Sequence, residues 1–169
     1  MQLTLERFAS PIGTILLVAD QGALHALYFG DDVERVRVTL RRRNPSCEIR
    51  EGRVPHAITA ALSSYFDGEL AAIDSVPVVM NGTDFQRKVW ALLRKIPAGT
   101  TTSYGALAAT LGQPGASRAV GLANGSNPVG LVVPCHRVIG SNGSLTGYGG
   151  GLPRKRWLLA HEGVMLIGG

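Results

Sequence analysis

Acidic residues are almost confined to the first half of this 169-residue chain, and this asymmetry constrains the fold most. Residues 1–78 contain eight Lys and Arg against ten Asp and Glu, whereas residues 79–169 contain nine against two. Of the 22 glycines, 17 lie after the same boundary. The second half therefore has a net charge of +7 and many glycines, which let the backbone approach a ligand closely. Both features are typical of a unit that binds nucleic acid. We therefore expect two domains, 1–78 and 79–169.

Composition and the N-terminus exclude several classes of protein. With 45% hydrophobic residues the chain can bury a core, which excludes disorder. No run reaches the roughly 18 apolar residues of a membrane span, and the N-terminus lacks the features of a secretory signal. We therefore expect a cytoplasmic protein with no membrane partner. Cys47 and Cys135 lie 88 positions apart, which predicts two thiols and no disulfide framework.

The first half is predicted to be a small α+β unit without catalytic residues. Two β-rich runs, 14–19 and 23–29, predict a hairpin. One helix then follows Asp31 or Asp32, and a second begins at Pro55. The run Arg41-Arg42-Arg43 could contact DNA. It lies at the end of a predicted helix, however, where cations suit the helix dipole, so a solvated surface is favoured.

Two short helices joined by a glycine turn are predicted in the second half, after a longer helix capped by Thr83 or Asp84. Ser103 caps the first of the pair, and the other covers about 116–123. The pair is a candidate helix-turn-helix, although many αα-hairpins have this pattern. Small residues surround Arg118 in the second helix. They either let it approach a DNA groove closely or pack against a neighbouring helix while Arg118 faces solvent.

Cys135 and His136 follow an apolar run, 129–133, that predicts a buried strand. A thiol has an ordinary pKa of about 8.5, so a base is needed to form the nucleophilic thiolate at neutral pH. His136 can take the proton, directly or through a water, if a carboxylate orients it. The second half holds two carboxylates, and Asp84 is a candidate helix cap, which leaves Glu162. From spacing, a Cys135–His136–Glu162 relay is a reasonable hypothesis.

The segment Pro134-Cys135-His136-Arg137-Val138 closely resembles the active-site signature of the O6-alkylguanine-DNA alkyltransferases, also called methylated-DNA–protein-cysteine methyltransferases. The resemblance covers most of residues 81–164 and is looser in the first half, where it rests mainly on Ser10-Pro11-Ile12-Gly13 and the hairpin after it. Further matching segments are Gly82-Thr83-Asp84-Phe85-Gln86, Ile96-Pro97-Ala98-Gly99-Thr100, Ser103-Tyr104-Gly105, Ser117-Arg118-Ala119-Val120-Gly121, Asn124-Gly125-Ser126-Asn127-Pro128, Thr146-Gly147-Tyr148 and Trp157-Leu158-Leu159-Ala160-His161-Glu162-Gly163. The resemblance implies an α+β fold with a small N-terminal ribonuclease-H-like α/β domain. It also implies a C-terminal winged-helix-like domain that contains the helix-turn-helix.

The resemblance further implies an activity and a role for each residue of the site. Cys135 would attack the alkyl carbon on O6 of guanine, His136 would relay the thiol proton through water, and Glu162 would polarise His136. Tyr104 would donate toward N3 of guanine, and Asn127 would brace the bend before the active-site strand. The thioether product has no carbonyl for water to attack. The protein would therefore be a suicide DNA-repair enzyme that reacts once and needs no cofactor.

The implied DNA contacts lie on the helix pair. Arg118 would fill the space of a nucleotide flipped out of the duplex, and Ala116 and Ser117 would let the helix enter the minor groove. Tyr104 also belongs to this DNA-binding set. A monomer is expected on double-stranded DNA, with cooperative binding and reaction with O4-alkylthymine left open. The implied pocket for the base consists of Val138, Tyr148 and Gly149.

The chain departs from the family at two points, and two other functions fit the residues alone. Some members bind zinc through the N-terminal domain, but here that half offers only Cys47, His25 and His56, so no metal is predicted. Gly149 stands where some members have serine, which leaves open how bulky an alkyl group fits. The other functions are a cysteine hydrolase with the same three residues and a winged-helix regulator. In the regulator, Cys135 would be a core residue or a redox sensor.

Overall fold

The computed structural model describes residues 1–166, and the chain divides into two compact units after Asn81. The predicted boundary at residue 78 lies three residues earlier, and residues 167–169 of the predicted second domain lie outside the described range. Residues 77–79 belong to the first unit because they pair with Leu24. The Leu24 N–H donates to Pro77 O over 2.9 Å, and the Val79 N–H donates to Leu24 O over 2.9 Å. The predicted α+β class is confirmed.

The first unit is built on a four-stranded sheet with the order β3-β2-β1-β4. The strands β1 and β2 and the strands β2 and β3 pair antiparallel, whereas β1 and β4 pair parallel. The alternation of the sequence places side chains such as Leu3, Leu5 and Leu16 in the core. The strands are β1 (Gln2–Ser10), β2 (Gly13–Ala19), β3 (Leu24–Phe29) and β4 (Glu48–Glu51).

Two helices and one 3-10 turn complete the first unit. Helix α1 (Val33–Arg43) is capped by Asp32, whose carboxylate accepts from the Arg35 N–H, and it buries Val36 and Leu40 in the core. Its last turn carries Arg41, Arg42 and Arg43, where positive charge suits the carbonyl end of the helix. Helix α2 (His56–Phe66) and the 3-10 helix Leu70–Ser75 follow.

The second unit begins with helix α3 (Asp84–Leu93), which the capping box of Thr83 and Gln86 starts. Thr83 rather than Asp84 is the cap. Trp90 of α3 is buried, and its indole N–H donates to Ala123 O over 2.8 Å, which joins α3 to a later helix. A Cβ on Gly82 would lie 2.6 Å from the Trp90 ring, so the chain entering α3 passes this ring closely enough to require glycine.

The predicted helix pair is present as α4 (Tyr104–Thr110) and α5 (Ser117–Gly125). Ser103 caps α4 by accepting from the Ala106 N–H. The chain leaves α4 through Gly112, whose φ of +74° lies in the left-handed region that favours glycine. Val120 and Ala123 of α5 are buried.

The predicted strand at 129–133 is wrong, because this segment forms buried turns. The Val132 N–H donates to Gly130 O over 2.8 Å, and the Val133 N–H donates to Val129 O over 3.0 Å. Leu131 has a φ of 68°, which is incompatible with an extended strand. A short apolar run indicates burial, and local hydrogen bonds satisfy the backbone here instead of a sheet.

The last elements of the second unit are short. A two-stranded parallel sheet joins β5 (Thr102–Ser103) to β6 (Val138–Ile139), and the 3-10 helix Cys135–Arg137 immediately precedes β6. Helix α6 (Leu152–His161) is the last helix of the described residues, and Glu162 directly follows it. Across residues 1–166, none of the helices has the length and apolar character needed to cross a membrane.

Candidate active site

Cys135 lies on a buried turn between the segment 129–133 and β6. Its side chain is 7% exposed, and His136 and Arg137, which follow it on the same 3-10 turn, are also buried. Burial raises the pKa of the Cys135 thiol above its ordinary value, while the Asn127 amide and the Lys155 ammonium lower it. Because burial dominates, the thiol holds its proton at neutral pH and needs a base to become a nucleophile.

His136 has the geometry of such a base. Its Nε2 lies 2.9 Å from Oε2 of Glu162, and both side chains are fully buried. A carboxylate only accepts, so Nε2 carries the proton and Nδ1 holds a lone pair. Nδ1 has no hydrogen-bond partner among residues 1–166. Burial lowers the pKa of His136, against the opposing effect of Glu162, so the ring is neutral and able to accept a proton at Nδ1.

Arg137 balances the charge of Glu162. Its Nε lies 2.8 Å from Oε1 of Glu162 and its Nη2 lies 2.9 Å from Oε2, which makes a forked ion pair in the interior. The remaining nitrogen, Nη1, donates to Ile96 O over 2.6 Å. Glu162 therefore contacts a permanent cation and the imidazole together. Glu162 would stabilise the imidazolium that forms when His136 takes the thiol proton, whereas the nearby charge of Arg137 opposes it.

Asn127 fastens the turns before Cys135. Its Nδ2 donates to Val133 O over 2.8 Å, and its Oδ1 accepts from the Val129 N–H over 2.9 Å, so one buried amide spans both ends of the segment 129–133. The bracing implied by the resemblance therefore has a structural counterpart, although it holds turns rather than a strand. The same amide lowers the pKa of the Cys135 thiol.

Lys155 is a buried cation that the sequence analysis missed. Its Nζ donates to Val138 O over 2.7 Å and to Thr146 O over 3.1 Å. Burial lowers the pKa of this ammonium to about 8, and its charge favours the thiolate of Cys135. The run Arg154-Lys155-Arg156 suggests a solvated surface. Helical spacing could have corrected this, because Lys155 shares a face with Leu158 and Leu159, which are buried.

The side chains of Tyr104 and Thr146 form a further polar contact within the second unit. Tyr104 is the first residue of α4, and its hydroxyl oxygen lies 2.7 Å from Oγ1 of Thr146. Both side chains are half-buried. The Tyr104 ring also approaches α5, since a Cβ on Gly121 would lie 3.8 Å from its Cδ1. Thr146 was recognised only as part of a matching segment, and its contact with Tyr104 spans 42 residues.

The start of α5 presents the residues expected to contact DNA. Ala116 is the N-cap of α5 and Ser117 is its first residue, and both are half-buried, whereas Arg118 is exposed. Leu122 follows Arg118 by one helical turn and is 75% exposed. An exposed leucine beside an arginine on a helix face of small residues is a further candidate contact, and no motif of the sequence pointed to it.

The three residues of the implied base pocket have different surroundings. Val138 is fully buried in β6, and the Tyr148 ring packs edge-on against His136, with ring centroids 6.5 Å apart. Gly149 is exposed, and a Cβ there would meet nothing within 4 Å. A serine could therefore stand at this position without a clash. Within the described range, no three His, Cys, Asp or Glu side chains are grouped so that they could hold a metal ion.

Comparisons with known proteins agree on one family. The sequence model of the 6-O-methylguanine DNA methyltransferase, DNA binding domain, matches residues 84–164. The methylated-DNA–protein-cysteine methyltransferase of Salmonella typhimurium is 47% identical over 171 residues, which cover 99% of each chain. That of Methanosarcina acetivorans is 44% identical over 156 residues, covering 92% of this chain and 96% of the other. Mycobacterium tuberculosis OGT in complex with DNA superposes with a TM-score of 0.81 at 41% identity, covering 94% of this chain and 92% of that chain.

Proposed function

This chain belongs to the methylated-DNA–protein-cysteine methyltransferase family and repairs DNA by alkyl transfer, and we propose that it moves the alkyl group from O6 of guanine onto Cys135. The observation that carries this assignment is the set of buried contacts that links Arg137, Glu162 and His136, the residue that follows Cys135. It equips the chain to remove the proton of Cys135 in an interior that otherwise opposes ionisation.

In the proposed reaction, His136 takes the thiol proton at Nδ1, directly or through a water, and Glu162 stabilises the imidazolium. The sulfur of Cys135 then attacks the alkyl carbon, a bond from sulfur to carbon forms, and the bond from carbon to O6 breaks. Tyr104 gives a proton to N3, so guanine leaves as a neutral base. The thioether cannot be hydrolysed, and each protein molecule reacts once.

We propose that α5 enters the minor groove of double-stranded DNA as a monomer and that Arg118 fills the space of the flipped nucleotide. The exposure of Arg118 and the small residues around it support this mode of binding. Leu122 would add an apolar contact with the groove. Cooperative binding, reaction with O4-alkylthymine and a cytoplasmic location stay predictions.

Intact-mass measurement tests the function directly. After mixing with a duplex that carries one O6-methylguanine, the protein is expected to gain the mass of one methylene per chain, on the peptide that contains Cys135. A further excess of duplex should give no further gain, because the product is stable. An unchanged mass would contradict the function, and turnover of a model ester by Cys135 would support a hydrolase instead.

Arg118→Ala is expected to slow methyl transfer from duplex DNA by about tenfold or more, because unstacking a base costs a few kcal/mol that the wedge offsets. Transfer from the free base O6-methylguanine should stay within about twofold of the parent rate, since a free base needs no flipping. Single-turnover rates on the two substrates provide the comparison.

The matched control is Arg156→Ala, which removes the same charge from an exposed position on α6. Its rate on duplex should fall much less than that of Arg118→Ala. Equal slowing of Arg118→Ala on both substrates would remove Arg118 from the flipping step.

A further inference from the structure

The hydroxyl of Tyr104 is held by a side chain from a distant segment. Its oxygen lies 2.7 Å from Oγ1 of Thr146, within the usual range of a hydrogen bond between hydroxyls. Tyr104 opens α4, whereas Thr146 lies in the loop between β6 and α6. The contact therefore joins the residue proposed as the acid to the loop that leads to Tyr148 of the proposed base pocket.

The position of Thr146 is fixed from its other side. Its carbonyl accepts from Nζ of Lys155 over 3.1 Å, and the same ammonium donates to Val138 O over 2.7 Å. The loop between these carbonyls is closed by a turn, in which the Gly140 N–H donates to Ser144 O over 2.9 Å. A buried cation thus ties both ends of the loop, and the Thr146 hydroxyl projects from a fixed backbone.

Two hydroxyls that share one hydrogen bond have two arrangements, and only one serves proton donation. If Tyr104 donates to Thr146, its proton is occupied. If Thr146 donates to Tyr104, the phenolic proton is available for the base. The donated hydrogen bond then also stabilises the negative charge that grows on the phenol oxygen as the proton leaves.

We propose that Thr146 is a positioning residue that donates to the Tyr104 hydroxyl during transfer and directs the Tyr104 proton to N3 of the alkylated guanine. The inference rests on the proposed function, in which Tyr104 is the acid. The electrons of the broken bond to O6 pass into the purine, N3 takes the Tyr104 proton, and the thiol proton stays on His136. Exchange with water afterwards neutralises the phenolate and the imidazolium.

The test compares Thr146→Val with Thr146→Ser in the parent and in a Tyr104→Phe background. Valine keeps the shape and the backbone carbonyl that Lys155 binds but lacks the hydroxyl. Single-turnover methyl transfer from duplex should be about tenfold slower for Thr146→Val, the size expected for losing a hydrogen bond to a developing charge. Thr146→Ser should recover to within about threefold of the parent rate. In the Tyr104→Phe background, Thr146→Val should cause no further slowing, because Thr146 acts through the phenol.

A duplex with 3-deaza-O6-methylguanine provides a second readout. This base has no N3 to protonate, so Thr146→Val and the parent should react with it at equal rates. Ser141→Ala, which removes an exposed hydroxyl from the same loop, is the control and should react at the parent rate on both substrates.

Three results would overturn the inference. Thr146→Val could react at the parent rate, it could slow both substrates equally, or it could slow the Tyr104→Phe protein as much as the parent. The last two would show that the threonine supports the loop without directing a proton. Failure of the proposed function has a different signature, because the parent protein itself would then gain no methyl group, and the inference would fail with it.

Discussion

Cys135→Ser is expected to abolish methyl transfer and to leave the affinity for duplex DNA within about twofold of the parent. A serine hydroxyl ionises far less readily than a thiol, and burial opposes the charged form at this position, as the raised pKa of Cys135 indicates. The exposed face of α5, on which DNA binding is proposed to depend, is unchanged by this substitution. Intact mass after incubation with an O6-methylguanine duplex measures transfer, and fluorescence anisotropy of the same labelled duplex measures affinity.

The matched control is Cys47→Ala, which removes the other thiol of the chain. Cys47 is buried in the core of the first unit, so its loss should cost some stability of that unit while one methyl group per chain is still transferred. If Cys135→Ser were methylated, or if Cys47→Ala no longer accepted the methyl group, Cys135 would not be the acceptor.

Much of the site could be predicted because its chemistry is local in sequence. Cys135 and His136 are neighbours, and the scarcity of acids in the second half left Glu162 as the partner of His136, which it contacts over 2.9 Å. The helix pair was predictable for the same reason, since caps and glycines mark its ends. The roles of these residues in the reaction stay predictions.

The residues that were missed act through tertiary contacts. Lys155 lies between two arginines, and only the fold shows that its ammonium donates to the carbonyls of Val138 and Thr146. Thr146 meets Tyr104 across 42 residues, a pairing that no local pattern encodes. The segment 129–133 was predicted to be a strand because apolar content indicates burial without specifying the backbone, which Asn127 and local hydrogen bonds determine here.

Glu162→Gln should destabilise the second unit by about 3–5 kcal/mol, since it leaves the buried guanidinium of Arg137 without its counter-charge. The side chains of Arg137 and Glu162 are 2% and 0% exposed, so water cannot solvate the unpaired cation. Methyl transfer by the folded fraction should slow by about a hundredfold or more, because the imidazolium of His136 also loses its partner. Tryptophan fluorescence in urea suits the stability measurement, because Trp90 and Trp157, the two tryptophans of the chain, both lie in the second unit.

Asp84→Asn provides the matched control, because Asp84 is the other carboxylate of the second half. Its ion pair with Arg87 is solvated, since the Asp84 side chain is 87% exposed. The same loss of one negative charge should therefore lower the free energy of unfolding by less than about 1 kcal/mol and leave transfer unchanged. If Glu162→Gln were as stable as Asp84→Asn and transferred methyl groups at the parent rate, Glu162 would neither stabilise the interior nor act in the proton relay. If it were unstable but transferred at the parent rate while folded, its role would be confined to pairing with Arg137, and His136 would act without a carboxylate.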